Sequence, residues 1–232
     1  LEFFDVDADE TVLEIWPGAG WYTDILGPYL NSGNGQLIVA HYDPMLWDDE
    51  DVQARIAGRN AEFEATINGA PELYGDVSYT VFSDTSAPLA EAGSVDTVLT
   101  FRNVHNWMSD TPYIDKFFTD AFTALKPGGV LGVVEHRLPS TAEQDPLATS
   151  GYVHEDVVKS YAAAAGFELV ASSEINANPA DTADHPFGVW TLPPVSATQN
   201  RDGETPEGFD AEAYAAIGES DRMTLKFVKP AE

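Results

Sequence analysis

The fold is decided by residues 11–20, Thr11-Val12-Leu13-Glu14-Ile15-Trp16 followed by Pro17-Gly18-Ala19-Gly20. The first part is mostly apolar, the composition of a short buried strand, and the Pro-Gly pair then breaks it. A helical stretch follows from Trp21 to about Leu30, closed by the turn-forming run Asn31-Ser32-Gly33-Asn34-Gly35. A strand that passes through glycines straight into a helix is the opening of a βαβ unit.

Outward from that bend the same alternation repeats. Strands are predicted at Gln36–Tyr42, Val77–Phe82, Val95–Phe101, Val130–Glu135, Phe167–Ile175 and Met223–Val228. Helical spacing of Val52, Ile56, Phe63 and Ile67 predicts a helix over Asp48–Ile67. Thr111-Pro112 reads as a cap with proline at the first helical position, ahead of an apolar face of Ile114, Phe117, Phe118, Ala121, Phe122 and Leu125. Lys126-Pro127-Gly128-Gly129 reads as a turn into the fifth strand, and a further helix is expected over Glu155–Ala165. Right-handed crossovers wind such units into one sheet covered on both faces. The expected fold is a Rossmann-like, doubly wound α/β sheet of seven mainly parallel strands with an antiparallel last strand, in a single domain over residues 1–232. Residues 176–222, rich in Pro, Gly, Asp and Thr, form a long insertion or lid between the last two strands. Ligands of such sheets bind outside the carboxyl ends of the strands, where the strand order reverses.

Composition narrows the partners. Thirty-nine Asp and Glu face 11 Lys and Arg, a formal charge of −28. Such a surface repels DNA, RNA and anionic lipid, so a small-molecule substrate is expected, with neither nucleic acid nor membrane as partner. The acids are spread along the chain, which suits solubility in high salt and a halophilic or marine source. The absence of cysteine removes disulfides, thiolate nucleophiles and Cys-ligated zinc. No apolar run approaches the ~18 residues of a membrane span. A start at Leu1 is expected of a trimmed or processed product, cytoplasmic in a salt-adapted cell or exported with its signal removed.

With the strands placed, Val12-Leu13-Glu14-Ile15-Trp16-Pro17-Gly18-Ala19-Gly20 resembles motif I of the class I S-adenosylmethionine-dependent methyltransferases, and Leu125-Lys126-Pro127-Gly128-Gly129-Val130-Leu131 is similar to their segment leading into strand five. Asp43, Asp84 and Val95-Asp96 extend the match over roughly Val12 to Val170. The strings EIWPGAGWYTDIL, FRNVHNWM and SEINANPADTADHPFGVWTLPP look like a narrower family of predicted methyltransferases with unassigned substrate, often preceded by an export signal.

The resemblance implies S-adenosylmethionine as cofactor. On it Gly18 and Gly20 let the backbone approach the ligand, and Glu14 serves the amino-acid end. Asp43 pairs with the ribose and Asp84 with the adenine amino group. One departure stands out: the superfamily has glycine where Trp16 stands, and an indole there would cover the cofactor, narrow its pocket or block it. For the chemistry, the candidates after strands four and five are Arg102, His105, His136 and Arg137, with His105 as base. Arg102, Arg137 and Arg222 would grip an anionic acceptor, or else pair with local Asp and Glu. Trp107, Trp190 and Tyr152 are candidate pocket walls. The readings are therefore a methyltransferase acting on a small, possibly anionic molecule, a non-catalytic ligand-binding protein of that fold altered at Trp16, and a metal-assisted enzyme using Glu135 and the histidines. No paired-histidine spacing supports the last, and no metal ligand set is assigned. A nicotinamide site is weaker still, because Thr23 stands at the last glycine of G-x-G-x-x-G.

Overall fold

In a computed structural model, residues 1–108 and 113–231 are described. The chain forms one seven-stranded sheet from β1 (Thr11–Ile15), β2 (Gln36–Tyr42), β3 (Val77–Phe82), β4 (Val95–Phe101), β5 (Leu125–His136), β6 (Glu168–Ser173) and β8 (Arg222–Val228), in the order β3-β2-β1-β4-β5-β8-β6. β1 pairs in parallel with both β2 and β4, so the order reverses beside it. β8 is antiparallel to β5 and to β6, as expected of the last strand. A short β7 (Pro186–Val189) lies outside this sheet.

Side chains of a strand alternate between faces, and two apolar layers result. Val12, Leu37, Val39 and Leu99 pack under Leu26 and Leu30 of α1 (Thr23–Asn31), joined by Phe4 and Val6. Leu13, Ile15, Val98, Leu131 and Val133 face the other way. They meet Phe117, Phe118 and Ala121 of α4 (Ile114–Ala124) and Val158 and Ala162 of α5 (Glu155–Ala165). Glu14, two residues after Val12, is thereby turned toward α1 within an otherwise apolar strand.

Several local expectations shift. The expected Thr111-Pro112 cap lies outside the described residues. Lys126-Pro127-Gly128-Gly129 is not a free turn but part of β5, because Gly128 N–H donates to the Lys229 carbonyl and Lys229 N–H to that of Gly129. The long helix is α2 (Glu50–Asn68), capped by Asp49, whose carboxylate accepts from Asp51 N and Val52 N. It is followed by a one-turn α3 (Pro71–Tyr74) that periodicity is too short to reveal. Between β6 and β8 the chain carries β7 and α6 (Ala211–Ile217), tied down by a buried knot. There Asp181 accepts from the Tyr152 hydroxyl and from Asp221 N and bonds to the His185 ring. Among the described residues no helix is long and apolar enough to cross a membrane.

Candidate functional site

A cavity of about 390 Å³ opens at the carboxyl ends of β1 and β4, the edge where the order reverses. Its floor is the bend after β1. Gly18 and Gly20 adopt φ of 62° and 88°, a conformation open to glycine and strained for other residues. A side chain at Gly18 would meet nothing within 4 Å, so the space over it is open, whereas at Gly20 it would press on Phe63 at 2.9 Å. The N–H groups of Gly18, Ala19, Trp21, Tyr22 and Thr23 find no acceptor among the described residues, and α1 starts without a side-chain cap. Unmet donors at a helix start favour a negatively charged or carbonyl group.

Glu14 lies at the base of this bend. Its Oε2 accepts from the Thr23 hydroxyl at 2.6 Å, while Oε1 is buried without a partner. Burial pushes its carboxyl up to about 7, since the charged form loses its hydration. An ionised Glu14 would be stabilised by a cationic ligand group beside Oε1.

Trp16 is where the structure departs most from the resemblance. It leaves the strand at φ 49°, which costs on the order of 1–3 kcal/mol in a residue other than glycine. Its surroundings hold it there. The amide donates to the Ala40 carbonyl, the indole N–H donates to that of Phe82 at 3.2 Å, and the ring stacks on Tyr42 at 4.2 Å between centroids. Phe82, Trp107 and Tyr113 enclose the remaining faces, leaving the residue 5% exposed. The indole thus fills the space over the ends of β1, β2 and β3. Asp43 and Asp84 are not brought to the cavity. Asp43 is buried and spoken for, accepting from Met45 N at 3.0 Å and from the Ser83 hydroxyl at 2.8 Å. Asp84 is exposed and lines neither this cavity nor the larger one on the other side of the bend.

The opposite wall carries the titratable groups. Arg102 is held at φ 62°, its amide donating to the Val134 carbonyl, and its Nε is buried without a partner. Asn103 ties the two loops together through its side-chain amide, which donates to the carbonyls of Ile15 and Trp16. His105 Nδ1 lies 3.0 Å from Oε1 of the fully buried Glu135, which also accepts from His136 N at 2.8 Å, while its Oε2 accepts from His105 N at 3.2 Å. With Nδ1–H donating to that carboxylate, His105 keeps a free lone pair on Nε2, the arrangement of a general base. His136 lies 2.6 Å from the Ser220 hydroxyl through Nδ1. Its proton affinity is well below that of a free imidazole, through burial first and then the neighbouring His105 ring and the Arg102 and Arg222 guanidiniums. Arg222 is buried and pairs with Glu219.

The predicted set therefore divides. Glu14, Trp16, Gly18, Arg102, His105 and His136 share the cavity. Arg137 does not. Its guanidinium is chelated by Asp221 and Glu174 and touches Glu155, at 2.8–3.1 Å, and it faces a separate cavity. Of its two expected roles, local ion pairing holds it. Of the expected aromatic walls, Trp190 lines the cavity, whereas Trp107 and Tyr152 are buried in the interior. Of the partners that orient these rings, Glu135 was named in the sequence reading and Ser220 was missed. Glu135 orients His105, and its signal was an acid inside the apolar run VLGVVEH. Ser220 orients His136 and carries no local signal.

The ligand-capable atoms of His105, Glu135 and His136 lie within 4.8 Å of one another, the convergence from separate loops that a metal-assisted reaction needs. The electrostatics disfavour a dication there. The cluster contains a single carboxylate, already accepting three N–H groups, and Arg102 and Arg222 both act on His136 as positive neighbours. The same two guanidiniums that repel a metal ion attract an anion.

No family model matches the chain, and no curated protein matches it. Solved structures do. A SAM-dependent methyltransferase from Aquifex aeolicus superposes with a TM-score of 0.57 at 13% identity, over 98% of this chain and 86% of that one. A SAM-dependent methyltransferase from Methanosarcina mazei gives 0.55 at 14% identity, over 100% and 97%. The [4+2]-cyclase SpnF gives 0.60 at 17%, over 100% and 78%. At such identities the likeness concerns architecture: this chain has the fold of the class I SAM-dependent methyltransferases.

Proposed function

We propose that the chain is an S-adenosylmethionine-dependent methyltransferase acting on a small anionic molecule. The observation that carries this reading is the pairing, at the bend after β1, of a buried carboxylate oxygen lacking a donor with backbone N–H groups lacking acceptors. An amino-acid zwitterion satisfies both at once: its ammonium meets Glu14 and its carboxylate the amides of the bend. Glu14 and the bend at Gly18 would hold the cofactor, whereas Asp43 and Asp84, outside this cavity, would take no part. When bound, this cofactor supplies an already activated methyl group. The chain's own residues then have three tasks. Arg102 and Arg222 hold the acceptor's anionic group, His105 Nε2 takes a proton from it, and Glu135 keeps that imidazole in the required tautomer. Trp190 and Leu192, from the segment between β6 and β8, wall the cavity and support reading residues 176–222 as its cover. The acidic surface we read as adaptation to high salt.

A second reading is favoured by one observation. Trp16 lies where the resemblance requires glycine, and its indole fills space toward β2 and β3, as in a ligand-binding protein that has closed its cofactor site. Calorimetry with S-adenosylmethionine and S-adenosylhomocysteine separates the two, using wild type, Glu14→Gln and Trp16→Gly. The methyltransferase reading expects wild type to bind both and Glu14→Gln to bind about tenfold more weakly, the loss of one charge-assisted contact. Binding by Trp16→Gly but not by wild type would establish the closed site, and binding by neither would leave only the architecture.

A further inference from the structure

A second cavity, of about 870 Å³, lies on the other side of the bend, between it and α2. Its walls combine three features that the transferase reading does not use. The first is a pair of cations: Arg55 and Arg59, four residues apart on α2, are both exposed at this cavity and make no ion pair among the described residues. Of the 11 Lys and Arg, Lys116, Lys126, Arg137, Lys159, Arg222 and Lys226 have carboxylate partners, whereas Arg102, Arg201 and Lys229, like Arg55 and Arg59, show none among the described residues. Residues four apart share a helix face, so both guanidiniums address one ligand group.

The second feature is aromatic. Tyr42, half-buried Trp47 and Phe63 line the same space, and Arg59 lies close enough to the Tyr42 phenol to act on its charge. The third is a buried polar group left open. His41 is 4% exposed and its Nε2 makes no hydrogen bond; the nearest carboxylate, Glu64, is 3.6 Å away. Two acids also line the walls, Glu62 and Asp24, the latter accepting from the Tyr74 hydroxyl.

We propose that this second cavity binds a nucleoside phosphate, with the phosphate on Arg55 and Arg59, the base against Trp47 and Tyr42, and His41 bonding to a polar edge of the nucleoside. Guanidiniums bind phosphate bidentately, and an aromatic wall accepts any flat base. The site stands independently of the cofactor reading, although the two cavities share Pro17, Gly18, Ala19 and Tyr42.

The test is equilibrium titration of the full chain with ADP, adenosine and inorganic phosphate, followed by calorimetry, on wild type and on R55A/R59A. Both arginines are exposed on a capped helix, so the double variant should fold, with circular dichroism as the check. ADP should bind wild type, and both adenosine with wild type and ADP with R55A/R59A should bind about tenfold or more weakly, the loss of charge-assisted bonds. S-adenosylhomocysteine affinity should be unchanged in R55A/R59A, and ADP binding with no S-adenosylhomocysteine binding would support this site while removing the transferase reading. The proposal is overturned by no ADP binding at millimolar concentration, by equal ADP affinity in wild type and R55A/R59A, or by inorganic phosphate binding as tightly as ADP.

Discussion

Replacing Glu14 by glutamine isolates the charge at the base of the bend. The wild-type carboxyl titrates near 4.5 in the unfolded chain and at about 7 in the folded one, because burial penalises the anion more than the Thr23 hydrogen bond relieves it. Below pH 4.5 both states are protonated and burial exacts no charge penalty. Between the two values the folded state binds the extra proton, so stability falls as pH rises, and above 7 the full penalty is present. A shift from 4.5 to about 7 corresponds to about 3 kcal/mol. Glutamine has the same shape, still accepts from Thr23 and never ionises. Urea denaturation of both proteins, from pH 4 to pH 8.5 at one fixed salt concentration, should give a stability difference that grows in favour of Glu14→Gln and levels above pH 7. The many other acids cancel in that difference. A gap independent of pH would refute the reasoning, since it would mean that Glu14 is hydrated or paired in the folded state. Saturating S-adenosylhomocysteine should narrow the gap by placing an ammonium beside Oε1.

The two arginines after β4 and β5 should respond differently. With sulfate as the probe, Arg102→Ala should weaken anion binding in the first cavity, while Arg137→Ala should leave it unchanged and lower stability by about 1–3 kcal/mol, because Asp221, Glu174 and Glu155 lose their shared cation. Equal effects on sulfate binding would contradict the division of roles. The charge of −28 predicts that thermal stability rises from low to molar salt as repulsion is screened, and a salt-independent melting temperature would remove the halophilic reading.

Much of the frame was legible because its signals are local and repeat. Apolar runs bounded by Pro, Gly and Asn located the strands, and β–α alternation implied parallel pairing around β1. Once strand ends converge on one edge, Glu14 near the end of the first strand and Gly18 after it, Arg102 and His105 after the fourth and His136 at the end of the fifth come together around one cavity. Short elements such as α3 and α6 were not legible, since one or two turns leave no periodic trace.

Side-chain commitments followed a different rule. Nothing near Trp16 says that its indole turns toward Tyr42 and Phe82, nor that Ser83 takes the carboxylate of Asp43. Arg137 and Arg102 look equivalent along the chain, yet three separated segments deliver the carboxylates that occupy only the first. Hydrophobic periodicity is set by neighbours a few residues away, so the sequence determined the architecture and the edge that carries the site. Which polar groups are already paired, and which remain open to a ligand, depends on residues brought together from distant positions, and only the packed tertiary structure decided it.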